Sequence, residues 1–195
     1  CLDHIFNGKL SSCLVNPRAC EETLIIIEPT EAKKTITIVG AGPAGLACAI
    51  TAAERGHNVT LYDAGSEIGG QFNIAKRIPG KEEFFETIRY FGVRLKELKV
   101  DVKLNTRLTT QQLNMMQVDA LVLATGISPR TLELPGHDHA KVLNYLDVIK
   151  GAKVGAKVAI IGAGGIGFDV AEFLAHGERE PSKNIAQFMS QWGID

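Results

Sequence analysis

Short apolar runs alternate along the chain with longer stretches in which apolar residues recur at helical spacing. The runs typical of buried strands are TITIVG, HNVTLYD, VDVKL, DALVLATG and KVAIIG. The clearest helical stretch covers residues 81–98, where the apolar residues Phe84, Phe85, Ile88, Phe91 and Leu95 recur at roughly helical spacing. Buried strands that alternate with helices are typical of a parallel sheet covered by helices. The pattern therefore predicts an α/β fold.

A strand, a glycine-rich turn and a helix occur in this order twice. TITIVG leads into a helix over residues 43–55, and KVAIIG leads into a helix over residues 166–175. HNVTLYD follows the first helix closely, which predicts a parallel strand beside TITIVG. Residues 64–80 are rich in glycine and predict a long loop, of the kind that often binds a ligand.

The chain is predicted to contain three regions. Residues 1–22 carry no clear period and form an irregular lead-in segment, residues 23–151 form a nucleotide-binding domain, and residues 152–195 begin a second one. Two such units in series predict a Rossmann-like FAD-binding domain followed by the start of a Rossmann-like NAD(P)-binding domain.

The first glycine motif has the sequence Gly-Ala-Gly-Pro-Ala-Gly. Its first glycine permits a tight turn, its second lets the backbone approach a pyrophosphate, and its third lets the helix pack closely on the strand. The phosphate would then lie at the helix N-terminus. An acid at the end of the second strand is placed to bind ribose hydroxyls. The expected contacts to the dinucleotide are Gly40, Gly42, Pro43, Ala44, Gly45 and Asp63.

FAD and NAD share this fingerprint, and further residues favour FAD at the first site. The loop of residues 67–71 brings flexible backbone back toward the phosphates, and a second glycine motif suggests that one site holds flavin and the other nicotinamide. Additional FAD contacts are expected from Gly70, Gln71, Ala124, Thr125 and Gly126. NADPH contacts are expected from Gly162, Gly164, Gly165 and Gly167, although no residue that distinguishes NADP from NAD is identified.

Composition narrows the class of protein. The net charge of -1, from 21 basic and 22 acidic residues, gives no footprint for nucleic acid. No apolar run is long enough for a membrane span, and no signal peptide is recognised. The 4 cysteines are too few for a disulfide scaffold, which favours a reducing, cytoplasmic location.

A family resemblance rests on five motifs that run through the chain. They are CLDHIFNGKLSSCLVNPRAC, VGAGPAGL, YDAGSEIGGQFNIAKRIPGKEEF, LATGISPR and AIIGAGGIGFD. Together they resemble the bacterial NADPH-dependent 2,4-dienoyl-CoA reductases, in the wider group that includes trimethylamine dehydrogenase. The resemblance implies an FMN-bearing N-terminal barrel with the substrate site, a [4Fe-4S] segment, and FAD and NADPH domains. The chain resembles a fragment of such a protein, whose partners would be that barrel and a C-terminal segment.

The resemblance also implies an iron–sulfur role for two cysteines. Cluster ligands of the family follow C-x2-C-x3-C-x11-C, and Cys1 and Cys13 fit the third and fourth of them. Without the resemblance, both are ordinary free thiols, since two cysteines are not a ligand set. As a partial set, they are not expected to hold a cluster stably without further ligands.

The implied activity is an electron path in fatty acid β-oxidation. Electrons would pass from NADPH through FAD, the cluster and FMN to an unsaturated fatty acyl-CoA. No residue of this chain is assigned a catalytic role, and little turnover is expected from the chain alone. The alternatives are another enoate or enone reductase, an amine dehydrogenase of the same group, or a non-catalytic nucleotide-binding module.

Overall fold

The structure, a computed structural model, describes residues 2–13, 15–130, 133–176 and 184–194. In chain order, its helices are α1 (Leu2–Phe6), α2 (Pro43–Glu54), α3 (Phe72–Ala75), α4 (Glu83–Glu97), α5 (Thr110–Met115), α6 (Tyr145–Ile149), α7 (Gly165–His176) and α8 (Ile185–Gln191). No helix in these ranges is long and apolar enough to cross a membrane.

The chain packs as two compact units. The first unit contains Cys1–Gly69 and Thr87–Gly126, and the second unit contains Gly70–Glu86 and Ile127–Asp195. These units are groups of residues that pack together. The domain boundaries predicted after residues 22 and 151 stay predictions.

The first unit is built on a four-stranded parallel sheet with the order β3-β2-β1-β4. In this register Ile38 lies beside Leu61 and Val122, so the three side chains point to the same face. The parallel α/β fold is thus confirmed. Its strands are β1 (Thr35–Val39), β2 (Asn58–Tyr62), β3 (Asp101–Lys103) and β4 (Ala120–Leu123).

The core of the first unit lies between this sheet face and two helices. Ile38, Leu46 and Leu61 are fully buried there, and Phe91 and Leu95 of α4 join the same cluster. Each fully buried aliphatic side chain stabilises the fold by about 2 kcal/mol relative to an exposed one. The apolar pattern predicted over residues 81–98 is thus confirmed at Phe91 and Leu95, whereas Phe85, which belongs to the same pattern, is 51% exposed.

The second unit has a separate apolar cluster. Ile78, Val148, Ile149 and Val170 are buried together, and they bring α6 and α7 against the segment that follows α3. The side chain of Asn144 caps α6 by accepting a hydrogen bond from the backbone N–H of Asp147 at 3.1 Å.

Three predicted elements differ from the structure. KVAIIG is not a strand in the described part of the chain, and Ile161 is 73% exposed there. A strand requires a neighbour to satisfy its backbone groups, and every strand in the described ranges belongs to the sheet of the first unit. The predicted loop over residues 64–80 contains α3, and the irregular lead-in contains α1.

Candidate functional site

The first glycine turn begins where β1 ends beside β4. Gly40 has φ +110°, and a Cβ at this position would overlap the carbonyl oxygen of Ala124 and lie 3.1 Å from the amide nitrogen of Thr125. The backbone N–H of Ala124 donates to the carbonyl of Val39 at 2.8 Å, which fixes this close approach. Only glycine fits at residue 40, and the predicted Ala124-Thr125 turn lies against it.

The third glycine of the motif brings α2 against the turn. A Cβ at Gly45 would overlap the carbonyl oxygen of Gly40 and lie 3.4 Å from the Cβ of Ala124. Helix α2 can therefore start directly above β1 only because residue 45 has no side chain.

The second glycine has the opposite environment. A Cβ at Gly42 would have no heavy atom within 4 Å, and Gly42 is the N-cap of α2 without any side-chain hydrogen bond. Pro43 occupies the start of the helix, Ala44 is exposed, and the first turn contains no acidic residue. The N-terminus of α2 thus presents backbone N–H groups to open space, which suits a phosphate.

Asp63 follows β2 and lies against the glycine turn. Its Oδ2 accepts a hydrogen bond from the N–H of Ala41 at 2.6 Å, and its Oδ1 accepts one from the N–H of Gly65 at 2.6 Å. Since each carboxylate oxygen can accept two hydrogen bonds, capacity remains for a ribose hydroxyl. The structure therefore brings Asp63 together with the turn.

The loop after Asp63 also returns to the turn. The N–H of Gly69 donates to the carbonyl of Ala41 at 2.8 Å. Gly70 and Gln71 belong to the second unit, where Nε2 of Gln71 donates to the carbonyl of Ile127 at 3.2 Å. Contacts of Gly70, Gln71 and Gly126 with FAD stay predictions.

The second glycine motif repeats part of the geometry of the first, although no described atom approaches Gly162 as Ala124 approaches Gly40. Gly162 has φ +114°, and a Cβ at Gly167 would overlap the carbonyl oxygen of Gly162, as a Cβ at residue 45 would overlap that of residue 40. Gly164 and Gly165 have open space where a Cβ would be. Helix α7 begins at Gly165, and its first turn contains no acidic residue. The start of α7 thus leaves space that suits a phosphate, although no strand leads directly into this turn among the described residues.

The cysteines predicted to bind a cluster are only partly described. Cys1 lies outside the described residues, and Cys13 is an exposed free thiol. Hydrogen bonds from the backbone N–H groups of Asn16 and then Val15 lower the pKa of the Cys13 thiol. No group of three or more metal-binding side chains occurs in the part of the chain that the structure describes. This part of the chain does not supply a cluster cage.

The family model for pyridine nucleotide-disulphide oxidoreductases matches residues 34–180. This chain belongs to that family.

Several relatives of this oxidoreductase carry names of reductases. A metal reductase of Desulforamulus reducens is 34% identical over 98% of this chain, and a cinnamate reductase of Clostridium sporogenes is 36% identical over 92% of it. A solved structure of 2-naphthoyl-CoA reductase in complex with 2-naphthoyl-CoA superposes on all of the chain with a TM-score of 0.86 and 32% identity.

The oxidoreductase chain is short compared with these proteins. It spans 29% of the metal reductase, 27% of the cinnamate reductase and 33% of the 2-naphthoyl-CoA reductase chain. Family membership makes it a flavin- and NAD(P)-dependent oxidoreductase module with Rossmann-like nucleotide-binding domains. The two open glycine turns fit the FAD and NAD(P)H that the family binds.

Sequence reasoning missed one feature of this module. Lys81 and Asp169 form an ion pair beside the second glycine motif, with Nζ and Oδ2 2.6 Å apart. Their separation of 88 residues leaves no periodic signal that could reveal the pair.

Proposed function

We propose that this chain is the FAD- and NADPH-binding electron-transfer part of a reductase of the 2,4-dienoyl-CoA reductase type, which acts on unsaturated fatty acyl-CoA. The observation that carries the proposal is the first glycine turn, where Gly40 and Gly45 permit close backbone packing while Gly42 faces open space. The names of the cinnamate and 2-naphthoyl-CoA reductases support an unsaturated substrate, and the second name also supports a CoA thioester.

Each residue of the first site has a defined task in this proposal. The N-terminus of α2 binds the pyrophosphate of FAD beside Gly42, and the carboxylate of Asp63 binds the ribose. Gly164 and Gly165 at the start of α7 admit the pyrophosphate of NADPH. Bound FAD supplies the exchange between a hydride and single electrons. The chain itself binds and orients the two nucleotides.

The longer protein would carry the remaining steps. Cys1 and Cys13 would supply two of the four ligands of a [4Fe-4S] cluster, and an FMN-bearing barrel would hold the substrate site and the proton donor. Iron and acid-labile sulfide in the full-length protein are the expected findings. Their absence would remove the cluster from the proposal and leave the nucleotide sites unaffected. The protein is proposed to act in the cytoplasm, without nucleic acid or membrane partners.

An amine dehydrogenase is the second candidate. The N,N-dimethylglycine/sarcosine dehydrogenase of Chromohalobacter salexigens is 33% identical over 83% of this chain. The solved 6-hydroxypseudooxynicotine amine oxidase of Pseudomonas geniculata superposes on 76% of the chain with a TM-score of 0.66 and 28% identity. Turnover of dimethylglycine, with no reduction of a 2,4-dienoyl-CoA by NADPH, would favour this candidate.

The flavin assignment is tested with Gly42→Val and the control Gly155→Val. Neither glycine has a positive φ, and a Cβ at either position meets no atom closer than 3.9 Å. We expect Gly42→Val to lower FAD binding at least about tenfold, because the side chain fills the volume that the pyrophosphate enters. Bound flavin is measured by visible absorption after desalting. Equal flavin content in both variants, or none in the wild-type protein, would contradict the assignment.

A further inference from the structure

The ion pair between Lys81 and Asp169 connects two separate segments of the second unit. Asp169 lies on α7, shortly after the glycines that open that helix, and Lys81 lies between α3 and α4. The two side chains are 39% and 28% exposed, so solvent screens their attraction only in part. The pair therefore links the start of α7 to the segment that precedes α4.

Neighbouring contacts hold both partners in place. Val170, next to Asp169, is buried in one cluster with Ile78 and Ile149. Arg77 donates from Nη1 to the carbonyl of Ile149 at 3.3 Å. The backbone on each side of the ion pair is thus anchored, which limits the freedom of the pair itself.

Apolar packing around the first turns of α7 is incomplete. A cavity of about 110 Å³ lies between α3, α6 and α7, and Ile166 and Asp169 line it from the α7 side. The side chain of Ile166 is 53% exposed. The bond from Lys81 to Asp169 is a polar contact that adds to the packing of Val170 in fixing the direction of these turns.

We propose that Lys81 and Asp169 are positioning residues for the nicotinamide nucleotide. Their ion pair holds the first turns of α7 so that the backbone N–H groups at its N-terminus converge on the pyrophosphate. This inference rests on the proposed function of the second glycine motif. The inference adds that nucleotide binding at this motif depends on Lys81, which lies far from the motif in the sequence.

Two other roles of Lys81 predict different changes of NADPH affinity in the variants. If Lys81 acted through its charge or contacted a phosphate directly, removal of Asp169 would free that cation and strengthen nucleotide binding. If the pair positions α7, removal of either partner weakens binding. Asp169→Asn, which keeps the size of the side chain, therefore separates positioning from direct attraction.

The experiment compares the wild-type protein with Lys81→Met, Asp169→Asn, the double variant and the control Lys103→Met. Lys103 pairs with Asp101 at 3.1 Å in the first unit, so the control removes a comparable ion pair from another place. Dissociation constants for NADPH are measured by fluorescence titration. The KM for NADPH and kcat with an artificial electron acceptor are measured separately, together with FAD content.

Positioning predicts about fivefold weaker NADPH binding in each single variant, since partly exposed ion pairs contribute little more than this. The double variant should bind NADPH no more weakly than the single variants. In all three variants the KM for NADPH should rise with kcat unchanged, and FAD content should stay constant. Tighter binding by Asp169→Asn, or wild-type affinity in both single variants, would overturn the inference. A wild-type protein that does not bind NADPH would instead overturn the proposed function of the motif.

Discussion

At the scale of single residues, the glycines of the first motif serve different physical purposes. Gly40 and Gly45 are required because backbone atoms occupy the space of a side chain. Gly42 leaves space that no atom of the described residues fills within 4 Å of a Cβ at this position. Substitution should therefore affect folding at Gly40 and Gly45, and ligand binding at Gly42.

Gly45→Ala tests the packing purpose. The new Cβ would overlap the carbonyl oxygen of Gly40, a backbone atom that cannot move without shifting α2 from β1. We expect the free energy of unfolding to fall by about 2–4 kcal/mol. Urea denaturation of the ligand-free protein measures the change. Gly42→Ala serves as the control, and an equal loss in both variants would contradict this division of purposes.

Cys13 provides a second test at this scale. The hydrogen bonds from Asn16 and Val15 lower its thiol pKa, whereas burial raises the pKa of the Cys48 thiol. A lower pKa means a larger thiolate fraction at a given pH, and the thiolate is the reactive form. At neutral pH, iodoacetamide should therefore modify Cys13 before Cys48, as followed by peptide mass spectrometry. Earlier modification of Cys48 would show that the environment of one thiol differs from that described.

At the scale of elements, Arg94 joins α4 to the end of α2. Its guanidinium lies 2.7 Å from Oε1 of Glu54 and 2.6 Å from Oε2 of Glu97, and the bonds to Glu54 and then Glu97 raise the pKa of Arg94. Glu97 lies on the same helix as Arg94, whereas Glu54 lies on another helix. Only the bond to Glu54 can therefore stabilise the packing of two elements.

Glu54→Gln and Glu97→Gln form a matched pair of variants. The Glu54 side chain is 19% exposed and that of Glu97 is 54% exposed, so solvent screens the second contact more strongly. We expect the unfolding free energy to fall by about 1 kcal/mol for Glu54→Gln and by about 0.3 kcal/mol for Glu97→Gln. Urea denaturation at low ionic strength measures both. A larger loss for Glu97→Gln would contradict the assignment of the interhelical bond.

At the scale of the whole molecule, the two glycine motifs belong to different compact units. Gly42 is the N-cap of α2 in the first unit, and Gly164 directly precedes α7 in the second. The first turn packs against Ala124 of its own unit, and the second turn brings Gly167 against Gly162 within the other unit, so loss of one site does not require loss of the other.

Reciprocal substitution tests this independence. Gly42→Val should lower FAD binding at least about tenfold and keep NADPH binding within about twofold, whereas Gly164→Val should have the opposite result, because the effects of substitutions at independent sites are additive. Flavin absorption and NADPH fluorescence are measured on each variant. Loss of both ligands in either variant would show that the sites are coupled.

The sequence alone determined the elements whose signals are local. The apolar runs TITIVG and HNVTLYD predicted two neighbouring strands of the sheet, and the spacing of Phe91 and Leu95 predicted a helix that covers it. The glycine motif and Asp63 predicted the first nucleotide turn. Hydrophobic periodicity and backbone sterics act over a few residues, so they can be recognised from the sequence alone.

Only the tertiary structure decided the features that depend on distant partners. KVAIIG has a strand-like composition, yet the described residues provide no strand beside it. The close approach of Ala124 requires a glycine at residue 40, and Lys81 pairs with Asp169, which is 88 residues away in the sequence. Strand pairing, backbone approach and ion pairing join residues through space. Their partners are therefore settled by how the chain folds, and local composition does not encode them.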